Sequence, residues 1–342
     1  MKNRLILSSL MVVLVVSVVT VGFAKAAPPT VAETIVLKQS VYAPASHPYI
    51  RLPTEFARRV ATATGGRVKI EVYPSSSLCP AKEELAAAHG GSIDMTFGVM
   101  TYFTGMVPLF NYTALPWSSP LTKEGAAKAT LETQPILEKA LRGYNVHVLY
   151  GFVITGGVYC LVARKEIRTP AHLKGMKVRT PGGLSDKLAV NWGAAVVSGP
   201  ASELYSVLQR GIADATIISK ASVKGLRLNE IAPYVTDLAM GMNGVLVAVN
   251  KDKWNRISKA DQKAITGLIP EYLVWLSGEF LKYTEAAQTE WPKLGIKVYV
   301  PTPSELELWK AGAKPLWEEY AKSSPEAKEI VDILIKHGGG IK

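Results

Sequence analysis

Cysteine is scarce in this sequence, with Cys79 and Cys160 as the only two in 342 residues. So small a number excludes a disulfide-rich scaffold, and the sequence leaves open whether these two thiols pair or stay free. Histidine is nearly as rare, and the five histidines show no metal-ligand spacing with each other or with the cysteines. We therefore expect neither a metal site nor a cofactor.

Motifs that carry catalysis are also missing. The chain has no GxSxG nucleophile elbow, P-loop, dinucleotide-binding fingerprint, HExxH or CxxC. The paired carboxylates Glu83-Glu84 and Glu318-Glu319 lie on predicted helix faces, where such pairs are ordinarily solvated charge. The sequence therefore does not predict an enzyme.

Clusters of basic residues are absent too, although the formal net charge is +11. Lysine and arginine are interspersed with aspartate and glutamate along the chain, so they form no basic stripe. No nucleic-acid partner is predicted, and the positive balance favours anionic partners only in general.

The N-terminus has the pattern of an export signal. Lys2 and Arg4 precede an apolar run over residues 5–23, and Ala24-Lys-Ala26 supplies the small-x-small pattern that a signal peptidase recognises. The apolar run is long enough to span a bilayer, so the alternative is an uncleaved anchor. The small residues at its end favour cleavage after Ala26, which predicts a signal peptide over residues 1–26 and a periplasmic location.

Short strand patterns alternate with helical patterns along the rest of the chain, which predicts an α/β fold. From Ser258 onward the pattern changes to long helices, with a start or kink at Pro270 and a helix cap at Thr302. The predicted strands cover residues 35–41, 67–73, 93–97, 146–153, 176–179, 213–218 and 245–249. The predicted shorter helices cover residues 54–63, 81–89, 123–131, 136–141, 184–192 and 202–210.

Four segments form an ordered series of motifs. They are Thr64-Gly-Gly-Arg-Val-Lys-Ile-Glu-Val-Tyr-Pro74, Gly91-Ser-Ile-Asp-Met95, Leu173-Lys-Gly-Met-Lys-Val-Arg-Thr-Pro-Gly-Gly183 and Ser202-Glu-Leu-Tyr-Ser-Val-Leu-Gln-Arg-Gly211. In this order the series resembles the extracytoplasmic solute-binding subunit of TRAP transporters, the DctP-type family. The resemblance extends over about residues 34–300, nearly the whole chain after the predicted signal peptide.

The resemblance implies a periplasmic-binding-protein fold, in which two α/β lobes enclose a ligand cleft and are joined by crossover strands and a long C-terminal helix. It assigns residues 27–150 to the first lobe and 151–240 to the second, with 241–342 as a return strand to the first lobe plus helices that span both. It also implies two partners. One is a small organic acid held in the cleft, and the other is the membrane permease that receives it.

Arg179 is the principal candidate for holding that acid. It lies at the end of a predicted strand, immediately before the turn at residues 180–183, and in α/β folds the carboxyl end of a strand opens into the ligand crevice. A guanidinium there offers a carboxylate two parallel N–H donors. The residues alone also allow a solvated strand-end arginine, but the resemblance places the family's carboxylate-anchoring arginine at this position. We expect the side chain to face a solvated cleft.

Two departures from the family pattern bear on the ligand. Where some members carry a second arginine, this chain has Val158 or Tyr159, and where many carry an asparagine after the aspartate, Asp214 is followed by Ala-Thr-Ile-Ile218. A second carboxylate on the ligand would therefore lack a cationic partner and incur a desolvation cost. The predicted ligand is a monocarboxylate with an apolar or aromatic remainder, such as an aliphatic, aromatic or 2-oxo acid. A dicarboxylate remains the alternative.

The other candidate lining residues come from segments whose counterparts face the cleft in the family. An aromatic wall with one polar anchor suits a small organic acid, although each of these side chains is equally consistent with an ordinary core position. They are Tyr42, Met100, Tyr102, Phe103, Trp117, Tyr159 and Ile218. A sensor subunit that presents the same ligand to a signalling receptor would have the same site, so the sequence leaves transport and sensing both open.

Overall fold

The computed structural model describes residues 34–341, and the predicted signal peptide lies outside them. The described chain forms two α/β lobes, each built on its own sheet. The strands are β1 (Ile35–Val41), β2 (Val68–Tyr73), β3 (Met95–Val99), β4 (Val146–Val153), β5 (Tyr159–Ala163), β6 (Lys177–Thr180), β7 (Ala195–Ser198), β8 (Ala215–Ser219), β9 (Tyr234–Met240), β10 (Gly244–Asn250) and β11 (Lys297–Tyr299).

The order of the strands shows where the chain crosses between lobes. The sheet of the first lobe has the order β2-β1-β3-β10-β4, and that of the second lobe has the order β11-β9-β5-β8-β6-β7. The chain therefore passes from the first lobe to the second at residues 154–158 and returns at residues 241–243. β1 runs parallel to β2 and β3, and β6 runs parallel to β7 and β8, so both lobes present strand carboxyl ends from which a crevice can be built.

Helices pack on both sheets, and the longest joins the lobes. α8 has 32 residues and packs against α1 and α3 of the first lobe and α6 of the second. The helices are α1 (Arg51–Ala63), α2 (Glu84–Gly90), α3 (Lys123–Ala140), α4 (Leu184–Asn191), α5 (Leu204–Gln209), α6 (Lys220–Gly225), α7 (Lys251–Arg256), α8 (Lys259–Glu290), α9 (Pro303–Ser323) and α10 (Pro325–Lys336). The fold predicted from the sequence is thus confirmed, whereas the residue boundaries assigned to the lobes stay predictions.

Three prolines, Pro135, Pro270 and Pro315, lie inside continuous helices of the described chain. The two helices predicted at residues 123–131 and 136–141 are a single helix, α3, which runs through Pro135. α8 runs through Pro270 in the same way. Each proline removes one backbone hydrogen bond. Burial of the apolar residues on either side, such as Ile136 in α3 and Ile269 in α8, offsets this loss.

Helix caps were easier to predict than some strands. The Ser258 hydroxyl accepts a hydrogen bond from the Asp261 backbone N–H at 3.1 Å, and Thr302 forms a reciprocal capping box with Glu305, so both predicted helix starts are confirmed. β5, β7, β9 and β11 were not predicted. β5 is buried along its whole length and so lacks the alternation that identifies a half-buried strand, while β11 has only three residues.

Candidate functional site

Arg179 lies in β6, between β7 and β8, and only 2% of its surface is exposed. The expectation of a solvated side chain is therefore wrong for this arrangement of the lobes. Its Nε donates a hydrogen bond to the Gly199 carbonyl at 2.9 Å, and Nη2 donates to the same oxygen. Within residues 34–341 no hydrogen bond engages Nη1. The bonds from Nε and Nη2 thus fix the orientation of the guanidinium, while Nη1 keeps N–H donors that make no hydrogen bond within residues 34–341.

Tyr102 reaches from the first lobe to the same loop of the second. It follows β3, and its hydroxyl oxygen accepts a hydrogen bond from the Ala201 backbone N–H at 2.8 Å. Ala201 is two residues from Gly199, the residue that holds Arg179. A second contact between the lobes lies nearby, because the Asn111 side-chain oxygen accepts from the Leu184 backbone N–H at 3.0 Å. The two lobes are therefore closed on each other around Arg179.

Tyr159 is the first residue of β5 and is held by a residue of the opposite lobe. Its hydroxyl oxygen accepts a hydrogen bond from Asn243 Nδ2 at 2.7 Å. Strand pairing places Tyr159 opposite Ser219 and Arg179 opposite Thr216, so the two side chains leave opposite faces of the sheet. Both, however, lie at the strand ends that border the crevice, where side chains from either face can meet.

The side chains that border this crevice influence one another's pKa values. Burial raises the pKa of Tyr42 well above its usual value, Tyr159 and Tyr102 raise it further, and the Arg179 guanidinium opposes the shift. Burial likewise raises the pKa of Tyr159, with the Asn243 hydrogen bond and Arg179 acting against it. Tyr42, Tyr102, Tyr159 and Arg179 are therefore linked electrostatically, and we call them the tyrosine–arginine cluster. Tyr42, Tyr159 and Arg179 are buried, and Tyr102 is half-buried. The cluster combines residues of both lobes that the sequence analysis had singled out.

Comparison with known proteins shows which family this chain belongs to. A family model described as bacterial extracellular solute-binding protein, family 7 (DctP), matches residues 39–323. The chain belongs to this family. A solute-binding protein from Albidiferax ferrireducens is 28% identical over 294 residues, which are 81% of this chain and 83% of that protein. The DctP-type resemblance found in the sequence is thus confirmed.

Solved structures of DctP-type proteins have the same fold. A Bordetella pertussis extracytoplasmic solute receptor that binds pyroglutamic acid has a TM-score of 0.80 at 20% identity, covering 88% of this chain and 99% of that one. A sugar acid binding protein from Advenella mimigardefordensis, in complex with galactonate, has a TM-score of 0.81 at 17% identity, covering 90% of this chain and 99% of that one. At these identities the likeness shows the fold, and the ligand of this DctP-type protein has to be argued from its own residues.

Two other predicted lining residues of this DctP-type protein, Met100 and Phe103, lie in the core of the first lobe. Both are buried there, where the Met100 sulfur accepts from the Tyr112 hydroxyl at 3.6 Å and the Phe103 ring packs on Gly98. Their place in the ligand site stays a prediction.

Trp117 and Ile218 lie at different distances from the cluster. Ile218 shares a face of β8 with Thr216, the pairing partner of Arg179, and is therefore one step further along the same surface. The Trp117 indole N–H donates to the Leu238 carbonyl at 3.4 Å, and Trp117 itself has a positive φ of 58°. This tryptophan thus belongs to the junction between the lobes.

Asn243 holds a residue of the cluster, Tyr159, and was missed by the sequence analysis. It precedes β10, is buried with 4% of its surface exposed, and has a φ of 82°. Asparagine tolerates this left-handed conformation better than most residues, so the Asn-Gly pair at 243–244 is the local signal of an unusual backbone. Nothing in the sequence links that signal to Tyr159, which lies more than 80 residues earlier.

A buried ion pair beside the cluster was also missed. Lys220 begins α6 and is 3% exposed, and its Nζ lies 2.7 Å from Asp237 Oδ1. Asp237 also accepts a hydrogen bond from Gln288 of α8 at 2.8 Å. The charge of Lys220 is therefore matched within the second lobe.

Glu84 corrects the prediction of solvated carboxylate pairs. Its neighbour Glu83 is exposed, but Glu84 itself is fully buried inside the first lobe, and burial raises its pKa to about 8. The Ser40 hydroxyl donates to it at 3.2 Å, and the Cys79 thiol in turn donates to Ser40 at 3.8 Å. Cys79 and Cys160 are both free thiols.

Residues 34–341 contain no group of three or more His, Cys, Asp and Glu side chains arranged to hold a metal ion. Over the same residues, no helix combines the length and the apolar character that crossing a membrane requires.

Proposed function

We propose that this DctP-type protein is the periplasmic subunit of a TRAP-type transporter, which captures a small organic monocarboxylate through Arg179 and delivers it to a membrane permease. The observation that carries the proposal is the half-engaged guanidinium of Arg179. Gly199 orients it, and its charge acts on the buried phenols of Tyr42 and Tyr159. Charge-assisted hydrogen bonds of this kind contribute about 1.5–3 kcal/mol each.

The charge balance of the interior supports a single carboxylate. Arg179 and Lys220 are the only buried Lys or Arg side chains in residues 34–341, and Lys220 is already paired with Asp237. A ligand enclosed by both lobes therefore finds one available cation. A second carboxylate would be desolvated without a partner, which disfavours dicarboxylates. The rings of Tyr42, Tyr102 and Tyr159 suit an apolar or aromatic remainder.

The titration properties of the cluster support binding without chemical conversion. Burial raises the pKa values of Tyr42 and Tyr159, so neither phenol acts as a base near neutral pH. The amide of Asn243 and the guanidinium of Arg179 cannot accept a proton either. We therefore infer that the bound acid is released unchanged, which is the behaviour of a transport subunit and not of an enzyme.

A thermal-shift screen tests the ligand class. Purified protein lacking residues 1–26 is heated with matched pairs of mono- and dicarboxylates that share a carbon skeleton. Ligand present at a hundred times its dissociation constant stabilises the folded state by about 2.7 kcal/mol, which corresponds to a rise in Tm of several degrees. We expect that rise with monocarboxylates. A larger rise with succinate or malate than with any monocarboxylate would contradict the proposal, and recovery of a chemically altered acid would indicate an enzyme.

A further inference from the structure

Helix α4 of the second lobe begins without a cap from its own segment. Its N-cap residue is Gly183, which has no side chain, and its first N–H belongs to Leu184, which is buried. A buried backbone N–H without an acceptor is costly, so helix N-termini are ordinarily capped by a side-chain oxygen nearby in the sequence. Here the acceptor comes from the first lobe, because the Leu184 N–H donates to Asn111 Oδ1 at 3.0 Å.

The Asn111 amide is oriented by its own lobe. Its Nδ2 donates to the Pro108 carbonyl at 3.0 Å, within the 3-10 segment Pro108–Ala114. A carbonyl only accepts and a backbone N–H only donates, so one orientation of the amide satisfies both Pro108 and Leu184. The first lobe therefore holds the oxygen of Asn111 in place for α4.

The two lobes approach so closely at this contact that residue 183 has to be glycine. A Cβ at Gly183 would lie 2.5 Å from Asn111 Oδ1 and 3.3 Å from the Thr104 side chain, both in the first lobe. Gly183 also has a φ of 62°, in the left-handed region that favours glycine. A methyl group at this position would either displace Asn111 or hold the lobes apart.

Tyr102 makes a second contact of the same kind. The 3-10 turn Ala201–Glu203 leads into α5, and its N-cap residue, Pro200, makes no side-chain cap. The first N–H of that turn, at Ala201, donates to the Tyr102 hydroxyl of the first lobe. Two helical N-termini of the second lobe are thus capped across the crevice.

From this geometry we propose that Asn111 is a positioning residue for solute capture, which caps α4 from the opposite lobe and thereby holds the lobes closed over a bound solute. When the lobes part, the Leu184 N–H exchanges Asn111 for water, and closing restores the cap. A solute enclosed by both lobes leaves only after they part, so the contact should slow release without changing the rate of entry. The inference concerns closure and does not depend on which acid the protein carries.

The first test measures how long a solute is retained. Stopped-flow fluorescence follows association and dissociation of pyroglutamate, galactonate and benzoate as probe acids, in the wild type and in Asn111→Ala. For each probe that binds, we expect dissociation from Asn111→Ala to be about 2- to 30-fold faster, the range for loss of a helix cap, with the association rate unchanged. An unchanged dissociation rate in the folded variant would overturn the proposal.

Gly183→Ala blocks the contact sterically and gives the sharper test. We expect it to weaken binding about tenfold or more, and adding Asn111→Ala should restore part of the affinity, because the shorter side chain makes room for the new methyl group. Gly175→Ala is the matched control. Its φ is 76°, but an added Cβ meets nothing within 4 Å, so this variant should lose stability and keep its affinity. If the two substitutions weaken binding additively, residues 111 and 183 do not meet on closure and the proposal is wrong.

A crosslink decides the matter if no probe acid binds or if a variant does not fold. In a chain with Cys79 and Cys160 changed to alanine, Asn111→Cys and Gly183→Cys should form a disulfide under oxidised glutathione, because position 183 lies against the tip of the Asn111 side chain. Mass spectrometry detects the loss of both thiols. Gly175→Cys in place of Gly183→Cys should leave them free. Failure of the first pair to crosslink would show that the lobes do not close at this contact.

Discussion

Replacing Arg179 with alanine is expected to weaken binding of the organic acid by between about 30-fold and a few thousand-fold, because truncating one partner of a buried charge pair costs about 2–5 kcal/mol. The loss is large since Lys220, the other buried cation of the described chain, is held by Asp237 and cannot substitute. Isothermal calorimetry on the acid found in the thermal-shift screen measures the effect directly.

Arg179→Lys is the matched control, because it keeps the charge and removes the planar fork. A lysine ammonium cannot hold the Gly199 carbonyl and a carboxylate in the geometry that the guanidinium allows, so we expect an affinity between those of the alanine variant and the wild type. Far-ultraviolet circular dichroism confirms that both variants fold. Full affinity in a folded Arg179→Ala protein would refute the anchoring role, and full affinity in Arg179→Lys would show that charge alone suffices.

Stability should fall as the pH rises from about 6.5 to 8, where the opposing contribution of His47 no longer changes, and Glu84→Gln should remove much of this dependence. Burial raises the pKa of Glu84 from 4.5 to about 8, so the folded protein binds the proton more tightly than the unfolded chain. The stabilisation is fully present below pH 4.5 and is lost progressively up to the folded pKa. Each unit of such a shift corresponds to about 1.4 kcal/mol, so several kcal/mol of unfolding free energy are at stake.

The glutamine amide can take the place of the protonated carboxyl group, with Ser40 and the Phe97 backbone as its neighbours. We expect Glu84→Gln to be more stable than the wild type at pH 8–9, measured by urea unfolding. Glu83→Gln, on the exposed neighbour, serves as the control and should keep the wild-type slope. His47 does not confuse the result above pH 6.5, because burial lowers its pKa to about 4 and its stabilisation is lost only between those values as the pH falls. If the unfolding free energy of Glu84→Gln depends on pH as strongly as that of the wild type, Glu84 is not the group responsible.

Features that depend on neighbours in the sequence could be predicted, whereas features that depend on residues far apart in the sequence could not. Arg179 and the caps at Ser258 and Thr302 were predictable because a strand end followed by a Pro-Gly-Gly turn, or a hydroxyl three residues before an acid, is a local pattern. Glu84 was misjudged because its surroundings come from the ends of β1 and β3, and the adjacent Glu83 is solvated as expected.

Contacts between side chains that are far apart in the sequence were not predicted, for the same physical reason. Asn243 meets Tyr159, and Lys220 meets Asp237, through contacts that no spacing along the chain encodes. Helix continuity through Pro135 and Pro270 was hidden as well, since tertiary burial overrides the local penalty of a proline. The sequence therefore identified Arg179 and several aromatic residues as candidates, but not the side chains that contact them.

The position of Asn243 at a crossing between the lobes has a consequence for their opening. A rotation of the lobes about residues 241–243 would carry the Asn243 amide away from Tyr159. In the open protein the phenol would then be free to turn. Opening and closing of the lobes should therefore switch this side chain between a free and a fixed orientation.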